Sequence, residues 1–304
     1  MSSGASHTSS AGQAQTFRRI GMLGVGIMGH AMASNLIKAG FEVSAYDPDA
    51  KALKRLKAAG GRPCKSVAQL AGSVQVIISC LPSAAALHSN AQQMVAAGNR
   101  ELLVVEASTL DIADKTAARD VLKSCGIVML DCPLSGTGAQ AVNKDLTVYA
   151  SGPRAAIRRL APVFEGFSKS CFDLGKFGNG MKMKLMANLL VAIHNVSTAE
   201  ALLLGQRWGI KPSTAVKVLS DGAGGSRMLQ IRGPQMEDEG WKVATMKVGI
   251  WQKDMKLIAA ALEDARVPAP LFAASVPIYN AAMALGHADH DTAAVFDVLS
   301  RMSS

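Results

Sequence analysis

Residues 19–29 read RIGMLGVGIMG, and this stretch decides the fold. Its first half, 19–24, is a short apolar run ending in glycine, which reads as a buried β-strand. Its second half places Gly24, Gly26 and Gly29 in the spacing GxGxxG. Residues 28–39 then repeat with helical periodicity and stop at Gly40, a residue suited to ending a helix. In a strand–turn–helix the three glycines have separate tasks. Gly24 permits the tight turn, Gly26 lets the backbone approach a pyrophosphate, and Gly29 lets helix and strand pack closely. The helix start offers free N–H groups and the positive end of its dipole to the phosphates. Ile27 and Met28, between the last two glycines, belong to the same candidate cofactor site.

The next strand, Glu42–Tyr46, ends at Asp47, eighteen residues after Gly29. A carboxylate there can accept hydrogen bonds from both adenosine ribose hydroxyls and repels a 2′-phosphate, so NAD is expected over NADP. Arg55, close by in sequence, is the group that could adapt the site to NADP. The competing reading is an ordinary glycine turn with an Asp helix cap before Ala50. Capping accounts for an aspartate but not for the glycines.

Further apolar runs at 74–80, 102–106, 127–130 and 147–151 read as strands, with helical stretches such as 50–59 between them. Strands alternating with helices imply an α/β, Rossmann-type, doubly wound parallel sheet. After Gly180 the alternation stops. Residues 181–208 form one long helical pattern, followed by helical segments broken at 222–225 and 268–270. The expected organisation is a disordered tail at 1–16, a dinucleotide-binding domain at 17–178, and an all-α substrate and oligomerisation domain at 179–304. The long helix at about 181–208 joins them.

Composition limits the alternatives. The 304 residues suit two domains, and 49% apolar with 18% charged residues is the make-up of a globular chain. The net charge of +9 is spread, with only short basic groups at 51–57 and 154–159. Nucleic-acid binders usually cluster their charge, so no nucleic-acid partner is expected; a mild basic balance instead suits steering of an anionic substrate. The five cysteines, Cys64, Cys80, Cys125, Cys132 and Cys171, are odd in number and form no CxxC pair. They read as reduced thiols of a cytoplasmic protein, not as a disulfide framework or zinc site. His287 and His290 are spaced for a metal pair but lack an evident third ligand, so no metal is expected. The first fifteen residues lack the apolar core of a signal peptide. No apolar run reads as long enough and free enough of breakers to span a bilayer, so no membrane partner is expected. The 181–208 pattern is apolar on more than one face, which points to a homodimer or homotetramer.

Several separate segments, in order, resemble the β-hydroxyacid dehydrogenase family, whose best-known member is 3-hydroxyisobutyrate dehydrogenase. The opening GMLGVGIMGHAMASNLIKAGFEVSAYD is similar to the family's N-terminal motif. Leu81-Pro82 and Thr109, in Ala107-Ser108-Thr109, match family segments along the cofactor. Asp131-Cys-Pro-Leu-Ser135-Gly136 matches the substrate loop, Gly178-Asn-Gly180-Met-Lys-Met-Lys184 the catalytic GxGxxxK, and Lys253-Asp254 the Lys-Asp of the C-terminal domain. Asp291-Thr-Ala-Ala-Val295 matches the terminal helix. The resemblance runs from about Ile20 to Leu299. It implies Lys184 as proton-transfer residue, Lys253 reaching the nicotinamide end and Asp254 the substrate side. Four positions depart from the pattern: Thr137, Lys144, Ala187 and Met246.

The residues support that chemistry on their own terms. Oxidising an alcohol needs a base for the hydroxyl proton while hydride leaves carbon, and a lysine serves when burial and neighbours lower its pKa. Lys184 and Asn188, at i and i+4, share a helix face, so Asn188 can bind the substrate hydroxyl or orient the amine. Lys182 lies on another face and reads as solvated. The turn at Ser135-Gly136 exposes N–H groups that suit a carboxylate, with the serine hydroxyl as a further donor and Thr137 as an added contact. Lys253 and Asp254, adjacent on a helix, are expected not to share a face. The expected function is NAD-dependent oxidation of a small anionic 3-hydroxy acid. The alternatives are a reductase of small aldehyde or keto acids, an imine reductase of the same architecture, and a non-catalytic NAD-binding assembly protein.

Overall fold

The structure, a computed structural model, describes residues 17–303. The tail expected at 1–16 lies outside the described residues. β1 (Arg19–Leu23), β2 (Glu42–Tyr46), β3 (Arg62–Pro63), β4 (Val76–Ser79), β5 (Leu103–Glu106) and β6 (Val128–Asp131) form one parallel sheet in the order β3-β2-β1-β4-β5-β6. The order grows outward from β1 to β3 and then restarts at β4 on the other side. That reversal leaves a crevice at the carboxyl ends of β1 and β4, the position where such sheets take ligands.

Alternation along the strands builds two cores. Val76 and Ile78 of β4 face one layer, made by α1 (Ile27–Lys38), α2 (Ala50–Ala58), α7 (Arg154–Arg159) and α8 (Ala161–Phe167). Ile77 faces the other, made by α3 (Val67–Ser73), α4 (Ala84–Ala96) and α5 (Ile112–Ser124).

The strand expected at 147–151 is β8 (Thr147–Ala150), but it does not join this sheet. It lies between β7 (Leu134–Ser135) and β9 (Ser170–Asp173) in a second, three-stranded sheet, antiparallel to β7 and parallel to β9. Just past β8, an isolated antiparallel bridge pairs Ser151 with Asp131 at the end of β6. The chain between β7 and β8 holds only the five-residue α6 (Gly138–Val142), which favours an antiparallel return over a full crossover. Periodicity marks a strand but does not say which sheet it joins.

Beyond Gly178 the described chain is helical. α9 (Asn179–Arg207) is the long helix, two residues earlier at its start than expected. It packs with α10 (Pro212–Asp221), α11 (Arg227–Arg232), α12 (Val248–Ala265), α13 (Pro270–Ala284) and α14 (Val295–Met302). Ala192, Val196, Ala199 and Leu202 turn α9 toward a third core with Trp251, Phe272, Tyr279 and Phe296. By length and composition α9 is apolar enough to cross a membrane, contrary to the sequence expectation that no segment would be. Part of its apolar character belongs to the face that forms the centre of the helical half. Buried polar groups tie it there: Asn195 donates to the Tyr279 hydroxyl (3.2 Å), which donates to the Ala192 carbonyl (3.1 Å).

Candidate active site

The glycine loop caps the carboxyl end of β1. Gly24 has φ +88°, and a Cβ on it would lie 2.4 Å from the Cys80 carbonyl oxygen. A Cβ on Gly29 would lie 2.0 Å from the Gly24 carbonyl oxygen, so helix and turn touch backbone to backbone. At Gly26 a Cβ would meet nothing within 4 Å. Gly26 is also the N-cap of α1 and carries no side-chain cap. The first N–H groups of the helix therefore face open space over a residue without a side chain, which fits a dinucleotide pyrophosphate. Ile27 stands 78% exposed at the same edge, and Met28 is half-buried behind it.

Asp47 lies at the end of β2. One carboxylate oxygen accepts from Val25 N–H (2.7 Å) and the other from Asp49 N–H (2.8 Å). The helix cap before Ala50 is Asp49, whose side chain accepts from Lys51 N–H. Capping therefore does not account for Asp47, whose carboxylate fixes the glycine loop from the β2 side.

The loops after β4 and β5 are held by Glu106, which sequence reasoning missed. This buried carboxylate contacts the Ser79 hydroxyl and accepts from Ser108 N–H (2.8 Å), while the Ser108 hydroxyl accepts from Leu81 N–H (2.7 Å). Leu81, Pro82 and Thr109 are thereby set at the crevice. Burial and the neighbouring Glu106 push the Cys80 thiol up to about 12, so it stays protonated.

The Ser135-Gly136-Thr137 turn leaves β7 beside this crevice. Gly136 has φ +131°, and a Cβ there would lie 2.6 Å from the Leu146 side chain. Thr137 begins α6: its N–H donates to Gln140 Oε1 (3.0 Å), and its hydroxyl lies 3.4 Å from the same atom. The Thr137 departure from the family pattern is thus a helix start. Lys144 stands at φ +58°, the left-handed region that favours glycine. Met246 is held through its N–H, which donates to Asp291 Oδ2 (3.0 Å).

The helical half brings the remaining groups together. Lys184 and Asn188 are one turn apart on α9, and Lys253 and Asp254 lie on α12. Asn188 Nδ2 donates to Asp254 Oδ2 (3.0 Å), and both residues are buried. Lys253 Nζ reaches back to Asp254 Oδ1 (3.0 Å) and donates to the Thr109 carbonyl in the loop after β5. These neighbours stand on different faces of α12, one exposed and one buried, and still form an ion pair. Their Cβ atoms diverge, but the long lysine stem curls round to its neighbour's carboxylate. Burial holds the Lys184 ammonium below the ordinary lysine range; Asp254 opposes that shift and Lys253 adds to it. Lys182 is exposed. His287 lies between His290 (Nδ1–Nδ1, 2.8 Å) and Asp297 (2.9 Å), apart from these groups.

Two family models cover almost all of this architecture. The NAD-binding domain of 6-phosphogluconate dehydrogenase matches residues 19–202, and the NAD-binding domain of NADP-dependent 3-hydroxyisobutyrate dehydrogenase matches 178–299. The L-threonate dehydrogenase of Cupriavidus necator is 32% identical over 92% of this chain and 96% of its own length. The chain belongs to the β-hydroxyacid dehydrogenase family. As a member it is an NAD(P)-dependent oxidoreductase of hydroxy acids or the corresponding semialdehydes.

The chloroplastic glyoxylate/succinic semialdehyde reductase 2 of Arabidopsis thaliana is 30% identical over 94% of this chain and 80% of its own. Among solved structures, 3-hydroxyisobutyrate dehydrogenase of Mycobacterium tuberculosis, recorded with L-serine, superposes with a TM-score of 0.84. It is 26% identical and covers 93% of this chain and 99% of that one. An imine reductase from Pseudomonas shares the fold at a TM-score of 0.60 and 17% identity, covering 93% of this chain and 100% of that one.

Proposed function

We propose that this β-hydroxyacid dehydrogenase uses NAD to oxidise the hydroxyl of a small 3-hydroxy acid, with Lys184 as the proton-transfer residue. One observation carries the reading: Lys184 is a half-buried lysine whose ammonium is desolvated, which favours the neutral amine, and the charges of Asp254 and Lys253 act on it one turn from Asn188. In the direction of oxidation the neutral amine accepts the hydroxyl proton. NAD, when bound in the crevice by the glycine loop and Asp47, would supply the hydride acceptor. Ser135 and Gly136 receive the substrate carboxylate, and Thr137 borders that turn. Asp254 holds Asn188 and Lys253, so the face of α9 that carries Lys184 has a fixed orientation. The bond from Lys253 to the Thr109 carbonyl keeps this face against the nicotinamide end.

Run backward, the same groups make a reductase of small aldehyde or keto acids, with the Lys184 ammonium donating the proton. The name of the Arabidopsis relative favours keeping this second reading. A non-catalytic assembly role has nothing to support it, since the lysine and all three loop glycines are in place. NAD is preferred through Asp47, whose charge opposes a 2′-phosphate. The assembled form is a homodimer or homotetramer, because α9 leaves Met186, Leu190 and Leu204 at least half exposed and Trp208 follows them at 71%.

The test is NADH formation across 3-hydroxyisobutyrate, L-threonate and related acids, with NAD and NADP side by side. Reduction of glyoxylate and succinic semialdehyde is assayed in parallel. Turnover of at least one acid with NAD is expected; no turnover of any of them in either direction overturns the reading. Light scattering at micromolar concentration tests assembly, and a monomer contradicts it.

A further inference from the structure

Below the crevice, a buried lysine and the aspartate that opens the substrate-loop segment meet the first turn of α9 in an arrangement to which the proposed chemistry gives no role. α9 starts at Gly178, in the left-handed conformation (φ +92°), with no side-chain cap from its own segment. Its leading N–H groups are satisfied from elsewhere. Gly180 N–H donates to Ser151 Oγ (2.9 Å), and Met181 N–H donates to Asp131 Oδ2 (2.8 Å). The other Asp131 oxygen accepts from Lys115 Nζ (2.7 Å), and Ser151 Oγ lies 3.1 Å from Asp131 Oδ2. Lys115, Asp131 and Ser151 are all fully buried. Gly180 closes the contact, since a Cβ there would lie 2.3 Å from the Tyr149 carbonyl oxygen and 2.7 Å from that of Asp131.

We infer that Lys115 and Asp131 form a positioning pair that fixes the first turn of α9 and thereby aims Lys184. A carboxylate at a helix N-terminus complements the helix dipole and makes stronger hydrogen bonds than a neutral acceptor. A buried carboxylate without a partner is strongly destabilising, and the Lys115 ammonium supplies the opposite charge at 2.7 Å. Lys184 follows Met181 by three residues, about one turn or roughly 4.5 Å along the axis. A shift of the first turn is thus transmitted to the amine almost undiminished. The charges that bear on Lys184 itself are Asp254 and Lys253, so the pair acts on it through helix placement and not through charge.

The inference rests on Lys184 being the proton-transfer residue, and the experiment separates the two. Four full-length proteins are compared on the best substrate of the panel above: wild type, Lys184→Ala, the charge-neutral double variant Lys115→Met/Asp131→Asn, and all three changes together. The double variant is expected to lower kcat about 10- to 100-fold with cofactor affinity within about threefold, and to move the pH limb of kcat. In the Lys184→Ala background the same changes are expected to cost less than about twofold, because residues acting as a unit are not additive. Turnover of the double variant within twofold of wild type overturns the inference, as does a full repeat of its loss in the Lys184→Ala background. Lys184→Ala retaining more than a tenth of turnover overturns the proton-transfer reading instead.

Should the double variant fail to fold, Ser151→Ala removes the bond to Gly180 N–H and the hydroxyl's contacts with Asp131, and leaves the Lys115–Asp131 pair and the bond to Met181 N–H in place. It is expected to lower kcat about three- to tenfold in the wild-type background alone, and equal losses in both backgrounds overturn the inference. Should no acid turn over, amide exchange of the peptide covering 179–186 decides the anchoring. Faster exchange in the variant supports it, and a wild-type rate overturns it.

Discussion

The two halves of the molecule build their parts of the site by opposite means. In the α/β half, the glycine loop and Asp47 lie within 24 residues of one another, and neighbouring parallel strands bring them together. In the helical half, Asn188 and Asp254 meet from 66 residues apart, and Lys253 reaches Thr109 across 144. Parallel strand order is a local rule, so a short motif specifies the cofactor loop. Helix packing is not local, and several helices must dock before the lysine and aspartate meet. The halves also differ in what they leave uncovered. The sheet has a core on both faces, whereas α9 leaves Met186, Leu190 and Leu204 outside.

Lys184→Ala tests this contrast most strongly. It is expected to lower turnover by roughly two to four orders of magnitude and to leave NAD affinity nearly unchanged. Steady-state kinetics and a fluorescence titration of cofactor report the two quantities separately. A joint loss of both would show that the halves are not functionally divided as described.

Gly29→Ala attacks the other half. Its Cβ would lie 2.0 Å from the Gly24 carbonyl oxygen, and backbone on both sides leaves little room to adjust. A loss of about 1–3 kcal/mol of stability is expected from this overpacking, together with weaker NAD binding. Denaturant unfolding and the same cofactor titration measure it, and an unchanged midpoint would mean that α1 can lift from the turn freely.

A smaller effect is expected at Asp47. Wild type should favour NAD over NADP at least about tenfold in catalytic efficiency, equivalent to about 1.4 kcal/mol. Asp47→Ala should narrow that ratio and weaken NAD binding as well, because it also releases Val25 N–H. Equal use of both cofactors by wild type would sink the assignment.

Asp254→Asn sharpens the comparison through pH. Asp254 attracts the Lys184 proton and Lys253 repels it, so losing the carboxylate lowers the lysine pKa further. For oxidation the neutral amine is the active form, and activity falls as pH drops through that pKa. The acid limb of the oxidation profile should therefore move to lower pH in Asp254→Asn; movement to higher pH contradicts the described electrostatics. The smallest effect belongs to Lys182→Ala. It removes the same charge as Lys184→Ala from the same helix, but at an exposed position, and kcat should stay within about twofold.

By itself the sequence determined the Rossmann-type half, the helical half and the glycine loop. Each rests on a period of two, a period of 3.6, or a turn that only glycine permits, and these are properties of neighbouring residues. The sharing of a helix face by Lys184 and Asn188 was legible for the same reason. Tertiary structure alone decided that β8 enters a second sheet, because pairing depends on where the chain returns and not on the strand's own pattern. It alone decided that Lys253 curls onto Asp254, since a long stem can bridge faces that the helix separates. It alone revealed Lys115, which in sequence looks like any lysine on a surface helix and becomes buried only because Asp131 waits beneath it. Local periodicity fixes which face an element turns inward; what that face meets is set by the docking of distant segments.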